Sequence, residues 1–111
     1  MSAPIQHPES FYIGGKWVAA SGKSVIEVLA PATEQVYMRV ADAQEADIDR
    51  AVEAARVAFD KGPWPRMRHS ERAAYLSAMG KKLTERAQDV AQIWPNEMGI
   101  LHSIAKAFVG T

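Results

Sequence analysis

Cysteine is the most informative absence from this 111-residue sequence, which contains none. Without thiols the chain has no disulfide framework, no cysteine nucleophile and no thiolate metal ligand. It also lacks any apolar run near the ~20 residues that a membrane-spanning helix needs. Its 13 basic residues balance its 13 acidic residues, so neither nucleic acid nor an anionic membrane is favoured as a partner.

The first ten residues differ in composition from the rest of the chain. They contain two prolines and small polar side chains, and they lack the basic and apolar regions of a secretory signal. We therefore expect residues 1–10 to form a flexible arm and the protein to be cytoplasmic. The whole chain is 48% hydrophobic and 23% charged, which favours a folded structure over disorder.

Residues 11–40 contain short β-favouring runs separated by turn residues. Gly14 and Gly15 both tolerate positive φ, so residues 11–18 are predicted to form a hairpin around them. Two further strands, at residues 24–29 and 35–40, flank a turn at residues 31–33. We predict a small antiparallel β-meander whose edges need a partner.

A helix with one apolar face follows the strands. Asp42 is the expected N-cap with Glu45 three residues on, and the helix should end at a left-handed C-cap at Gly62, before Pro63 and Pro65. The helical spacing is carried by Ile48, Ala51, Val52, Ala55, Ala58 and Phe59.

A second helix is expected to open at Ser70, as N-cap, and to run past Val90 as one rod of about 35 Å. Gly80 within it predicts close approach of another backbone. From Ile100 the helical pattern restarts, and it reaches Thr111 without a settled cap. The apolar seam of the second helix consists of Leu76, Met79, Leu83, Ala87, Val90 and Trp94.

Residues able to carry chemistry are few and scattered. Gly14 and Gly15 lie between two strands, which favours a turn over a phosphate cradle. His7, His69 and His102 are far apart in sequence and lack the spacing of a zinc helix, so no metal site is predicted.

The charged and aromatic clusters have structural explanations that are more probable than catalytic ones. A small basic cluster could bind phosphate, but pairing with acids or solvation is favoured; it contains Arg66, Arg68, His69 and Arg72. An acidic group at the first helix is expected to balance the helix dipole; it contains Asp42, Glu45, Asp47 and Asp49. The tryptophans are expected to anchor the core or an interface; they are Trp17, Trp64 and Trp94.

Four motifs in one order resemble the aldehyde dehydrogenase superfamily. The first long helix of that family is similar to DIDRAVEAARVAF at residues 47–59, followed by GPW. Its opening strand pair resembles FYIGGKW at residues 11–17, and its turn resembles PATE at residues 31–34. Arg72 and Leu76 match the next helix. The chain departs from the family at three positions. Ala30 replaces the usual Asn, Glu34 replaces the usual Gly, and Pro95 lies in a helix that is usually unbroken.

The resemblance implies an α/β fold, which would be classed as α+β if the segment is taken alone. The segment would consist of a β-meander followed by two to three helices. Residues 11–111 would be part of an aldehyde dehydrogenase-like cofactor-binding domain. The family uses NAD or NADP and a cysteine thiolate to oxidise aldehydes to acids. Its catalytic and cofactor-binding residues lie downstream, so no catalytic, cofactor-binding or metal residue is expected here. A monovalent cation held by backbone carbonyls, known in many relatives, would lie near Leu29 and Glu97.

The sequence thus favours an amino-terminal fragment of an NAD(P)-dependent aldehyde dehydrogenase, truncated near Thr111 and inactive alone. Its expected partner is the remainder of the dehydrogenase, or another copy through exposed helix faces. The alternative is a free-standing interaction module that uses the seam from Leu76 to Trp94.

Overall fold

The chain was described from a computed structural model, which covers residues 3–109 and places antiparallel strands before helices, as predicted. The predicted uncapped end at Thr111 and the first two residues of the predicted arm lie outside this range. The elements are β1 (Ser10–Ile13), β2 (Lys16–Ala19), β3 (Val25–Ala30), β4 (Gln35–Ala41), α1 (Glu45–Lys61), a 3₁₀ turn (Trp64–Arg66), α2 (His69–Glu85), α3 (Ala87–Met98) and α4 (His102–Val109). The described residues therefore contain four α-helices where two to three were predicted.

The strands form two separate antiparallel hairpins, β1–β2 and β3–β4, in place of one continuous meander. The reason lies in the β2–β3 connection, which bonds to α1 instead of keeping β2 beside β3. There the Ser21 N–H donates to the Asp47 carboxylate over 3.0 Å. In the second hairpin the register shifts between Val28 and Leu29, so β4 carries an extra residue there.

The turn between β3 and β4 contains an unusual backbone conformation. Glu34 has a φ of 56°, in the left-handed region that favours glycine. This is the position at which the resembling family usually has glycine. Its N–H still closes the turn by donating to the Ala30 carbonyl over 2.8 Å.

The start of α1 differs from the prediction. The helix begins at Glu45, its N-cap is Gln44, and the Asp47 carboxylate accepts the Gln44 N–H over 3.0 Å. Asp42 as N-cap with Glu45 was therefore wrong. The Asp42 carboxylate instead accepts the Ser24 hydroxyl over 2.9 Å, because the chain is still extended there.

The end of α1 also differs from the prediction. Gly62 has a φ of −71° and a ψ of 167°, so it is extended and the predicted left-handed C-cap is wrong. Its N–H donates to the Ala58 carbonyl over 3.0 Å. A Cβ on Gly62 would lie 2.2 Å from the Ala58 oxygen. Glycine is required here by close approach and not by positive φ.

The predicted single long helix is two helices, α2 and α3, separated at Arg86. Arg86 has φ −106° and ψ 16°, outside the helical region. Its guanidinium donates to the Asp89 carboxylate over 2.8 Å and to the Pro4 carbonyl over 3.2 Å. These bonds hold Arg86 at the junction, and the second of them joins residues too distant in sequence for periodicity to anticipate.

Helix α2 differs from the prediction at its start and at Gly80. The N-cap is Arg68 and not Ser70, so the helix begins two residues earlier than predicted. The Arg68 N–H donates to the Glu71 carboxylate. Apart from Gly80, its two neighbours and the surrounding backbone of α2, no atom of the described residues lies within 4 Å of a Cβ built on Gly80, so the predicted close approach is not made within residues 3–109.

The turn between α3 and α4 brings the last helices against the strands. Pro95 is buried in the last turn of α3 without ending it, because the helix continues to Met98. Gly99 then adopts a left-handed φ of 75° and donates its N–H to the Pro95 carbonyl over 2.9 Å. A Cβ on Gly99 would lie 3.2 Å from Pro31, so this turn packs on the β3–β4 turn.

The described molecule is flat and has almost no apolar core. Its extents are 48 × 38 × 17 Å and its radius of gyration is 17.2 Å, where a compact domain of this size has about 13 Å. Its accessible surface is 8598 Å², against about 6,100 Å² for a compact monomer of the same mass. The buried apolar residues are Pro95 and three alanines: Ala30, Ala91 and Ala105. Within residues 3–109, no helix is long and apolar enough to cross a membrane.

Candidate functional site

The three histidines lie in separate places. His7 precedes β1, His69 opens α2 and His102 opens α4. No group of three or more metal-ligating side chains occurs among residues 3–109. The structure therefore brings together no side-chain metal cluster in the part of the chain that it describes.

The paired glycines form the turn that the sequence predicts. Gly14 and Gly15 have φ values of 61° and 82° and connect β1 to β2. The register pairs Tyr12 with Trp17 across the hairpin. A phosphate cradle requires a strand before it and a helix after it, and here both neighbours are strands.

Asp47 is the one polar residue that the described structure buries, with 1% of its surface exposed. Its carboxylate accepts the Ser21 N–H over 3.0 Å and the Ser21 hydroxyl over 2.8 Å. It also accepts the Gln44 N–H and pairs with Arg50, whose guanidinium donates to the Ala19 carbonyl as well. This network fastens the β2–β3 connection to the start of α1.

The hydrogen bonds determine the charge state of Asp47. Burial alone would raise its pKa, but bonds from the Gln44 backbone, Ser21 and Arg50 outweigh burial and lower the pKa to about 2. The sequence placed Asp47 among residues that balance the helix dipole. It missed the burial because Ser21 lies 26 residues away, and only the Gln44–Asp47 spacing gave a local signal.

The predicted basic cluster is dispersed over separate bonds. Arg66 donates to the carbonyls of Gly62 and Asp60, Arg68 pairs with Glu71, and the Arg72 guanidinium contacts His69 Nδ1 at 2.9 Å. Arg68 pairs with an acid, as the favoured interpretation predicts, whereas Arg66 bonds to backbone carbonyls and Arg72 to His69 within the cluster. They do not converge on a phosphate.

Each tryptophan contacts another ring while remaining partly exposed. Trp17 is 52% exposed and lies 4.5 Å from the His7 ring. The other two make edge contacts, which are Trp64 with Tyr75 at 6.1 Å and Trp94 with Phe108 at 6.0 Å. Rings that are only partly covered by their own chain are typical of surfaces that another structure covers.

The most prominent feature of the molecule is its exposed apolar surface. On α2, Leu76, Met79 and Leu83 are 55%, 57% and 61% exposed. The predicted apolar face of α1 is exposed in the same way, with Ile48, Val52 and Phe59 among the uncovered side chains. Patches of this kind mark interaction sites in soluble proteins. The candidate functional site among the described residues is therefore this exposed apolar surface.

The expected cation position lies where two elements meet. Leu29 is in β3 and Glu97 is in α3, and the contact of Gly99 with Pro31 brings the ends of these elements together. The Ala30 and Pro95 carbonyls nearby already accept backbone N–H groups. The cation itself stays a prediction.

Comparison with known proteins agrees with this geometry. The model of the aldehyde dehydrogenase family matches residues 17–110. The chain belongs to the aldehyde dehydrogenase family. Two relatives of this dehydrogenase segment are aldehyde dehydrogenase 1 of Tanacetum cinerariifolium, 38% identical over 95 residues, and lactaldehyde dehydrogenase of Escherichia coli, 35% identical over 109 residues. These matches cover 86% and 98% of this chain, but only 19% and 22% of the relatives.

The solved structures show the same relation. An aldehyde dehydrogenase from Mycobacterium tuberculosis, complexed with NAD⁺, matches with a TM-score of 0.81 and 44% identity. The match covers 86% of this chain and 20% of that one. The dehydrogenase segment thus spans about a fifth of its relatives, at their amino-terminal end. The expectation that it holds no catalytic, cofactor-binding or metal residue stays a prediction.

Proposed function

We propose that the chain serves as the amino-terminal segment of an NAD(P)-dependent aldehyde dehydrogenase and contributes scaffold rather than catalytic groups. The observation that supports this proposal is the exposed apolar surface. It lies on a segment that covers only about one fifth of the length of its relatives. The remainder of such an enzyme would cover α1 and α2, which this chain leaves bare. Residues 11–111 would belong to the cofactor-binding domain and residues 1–10 would form the arm.

The parent reaction would be aldehyde + NAD(P)⁺ + water to carboxylic acid + NAD(P)H. A cysteine thiolate forms the covalent intermediate in this chemistry, and the chain has no cysteine. We therefore expect the chain alone to be inactive. The NAD⁺ complex of the Mycobacterium tuberculosis relative favours NAD as the parent's cofactor.

The start of α1 does not fit the pyrophosphate of a bound dinucleotide. A pyrophosphate needs free N–H groups at a helix start, as a glycine-rich loop provides. At the start of α1 the buried Asp47 carboxylate already occupies that position, and Glu45 adds a second negative charge. We expect NAD to bind in the millimolar range, ~−4 kcal/mol at most. Micromolar binding in calorimetry would show that the cofactor site has been misplaced.

The proposal assigns the apolar surface to one of two partners, the remainder of the dehydrogenase or a second copy of the chain when that remainder is missing. A free-standing module is disfavoured, because three buried alanines give little core to stabilise one. The cytoplasmic location stays a prediction, which fractionation of the native cells checks.

The decisive experiment is to sequence the gene 3′ of the Thr111 codon and to assay its product. We expect dehydrogenase coding to continue, in frame or shifted. If it continues in frame, the longer protein should oxidise aldehydes with NAD or NADP, whereas the 111-residue chain should not. Loss of activity on replacing the downstream cysteine is the control. An unrelated downstream sequence, or turnover by the purified chain that a substitution within it abolishes, would overturn the proposal.

A further inference from the structure

A cavity of about 340 Å³ lies between α3 and α4. This volume is within the ~300–1,000 Å³ range of small-molecule sites, at its lower end. Five of the six lining residues are polar, and the sixth, Ala91, is 4% exposed and forms an apolar wall. The lining consists of Gln88, Ala91, Gln92, Asn96, His102 and Lys106.

The two helices hold the polar groups in a regular arrangement. Gln88, Gln92 and Asn96 follow one another by four residues on α3, so they share one face. His102 and Lys106 have the same spacing on α4. The Asn96 amide is fixed because its Nδ2 donates to the Gln92 carbonyl over 2.7 Å.

The helix pair itself is well anchored. Ala91 and Ala105 are buried, and the Trp94 and Phe108 rings meet edge to face at 6.0 Å. The left-handed turn at Gly99 packs on Pro31. The cavity is therefore built on two helices and a tight turn, not on a loose loop.

The charge of the cavity has one sign. No acidic side chain lines it, and Lys106 supplies a positive charge with three donors. Among residues 3–109, no ion pair or hydrogen bond involves Lys106 or His102. The acidic residues of α3 are Asp89 and Glu97; Asp89 is paired with Arg86, and Glu97 does not line the cavity. Gln88, His102 and Lys106 are exposed, so the groove is open to solvent, and its donors with no acidic lining residue favour an anion.

We propose that this cavity binds a small oxyanion, either a carboxylate or a phosphate. Lys106 supplies the charge, His102 and the Gln88 amide supply hydrogen bonds, and Ala91 contacts any short apolar part of the ligand. The proposal is independent of the function proposed above, because it concerns only residues of α3 and α4.

The test titrates the full 111-residue chain with inorganic phosphate and, separately, with propionate. Amide shifts in nuclear magnetic resonance spectra should saturate and should centre on residues 88–106. Lys106→Met should weaken the binding about tenfold, as expected for a lost bond to a charged group. The matched control is Lys61→Met, which removes the same charge at the end of α1 and should change nothing.

A second readout works even if the chain associates. The acetylation rates of Lys106 and Lys61 are compared by mass spectrometry with and without each anion, with chloride at equal ionic strength as reference. Selective protection of Lys106 supports the site, and the better protector identifies the ligand class. Equal protection of Lys106 and Lys61 from acetylation would overturn the proposal. So would equal weakening of anion binding by Lys106→Met and Lys61→Met, or amide shifts that do not saturate in the titration.

Discussion

At the residue scale, Asp47 shows how one carboxylate connects distant parts of the chain. It is buried, it accepts bonds from Ser21 and Gln44, and it pairs with Arg50. Its pKa is lowered to about 2, so the folded chain holds it ionised far into acid. The bonds to the Asp47 carboxylate stabilise the fold only while that carboxylate is ionised, because protonation weakens them.

Replacing Asp47 by Asn should therefore destabilise the chain in a pH-dependent way. Because the folded pKa is lowered, the stabilisation by Asp47 is complete above about pH 4, near its unfolded pKa. It is lost as the pH falls through about 2. Thermal melts of both proteins from pH 7 down to pH 2 should differ most at pH 7 and converge in acid. Asp49→Asn, which removes the same charge at an exposed position of α1, is the control and should lower the melting temperature much less than Asp47→Asn, through the helix dipole alone. A difference that grows in acid would contradict the account.

Glu34 gives a second prediction at this scale. Its φ of 56° costs about 1–2 kcal/mol for a residue with a Cβ. Glu34→Gly should stabilise the chain by roughly 1 kcal/mol, since the greater freedom of glycine in the unfolded state offsets part of the gain. Chemical denaturation measures this difference. Glu34→Ala keeps the Cβ and should give no such gain, so an equal gain from both variants would refute the explanation.

At the scale of elements, the helix ends are where the observed structure departs most from simple patterns. Gly62 and Gly80 differ in whether their surroundings have room for a side chain, although one ends a helix and the other lies within one. Gly62 ends α1 against the Ala58 carbonyl, whereas Gly80 has open space around it in α2. Position relative to neighbouring atoms, and not residue type, decides what a substitution does.

The same substitution at these two glycines should therefore have opposite effects. Gly62→Ala should destabilise by about 1–3 kcal/mol, because its Cβ would force the backbone apart. Gly80→Ala should stabilise by up to ~1 kcal/mol, since alanine has the higher helix propensity. Chemical denaturation of both variants beside the parent checks this, and each variant is the control for the other. A stabilising Gly62→Ala would show that this close approach is absent in solution.

At the scale of the whole molecule, flatness and exposure dominate the behaviour. Pro95 and three alanines are the buried apolar residues of the described chain, while Leu76, Met79 and Leu83 are more than half exposed. Full burial of such a side chain is worth about 1.5–3 kcal/mol, and each of these three forgoes roughly half of it. A formal net charge of zero gives no repulsion between copies.

The isolated chain should therefore self-associate or be only marginally folded. Leu83→Asp should reduce association and improve solubility without creating dehydrogenase activity, and light scattering across a concentration series measures this. Ser77→Asp, exposed on α2 outside the seam, adds the same charge and should have a smaller effect. A monodisperse parent monomer with a cooperative melt well above about 60 °C, the upper part of the mesophilic range, would contradict this expectation.

The placement of strands before helices, the Gly14–Gly15 hairpin and the family motifs could be predicted from the sequence. These depend on local backbone preference and on short periodicities, so neighbouring residues suffice to encode them. Tertiary structure decided the pairing of strands as two hairpins, the burial of Asp47 and the break at Arg86. Each depends on a bond between residues far apart, 26 positions for Ser21 with Asp47 and 82 for Pro4 with Arg86. Local patterns contain no information on such bonds, because the partners meet only after the chain has folded.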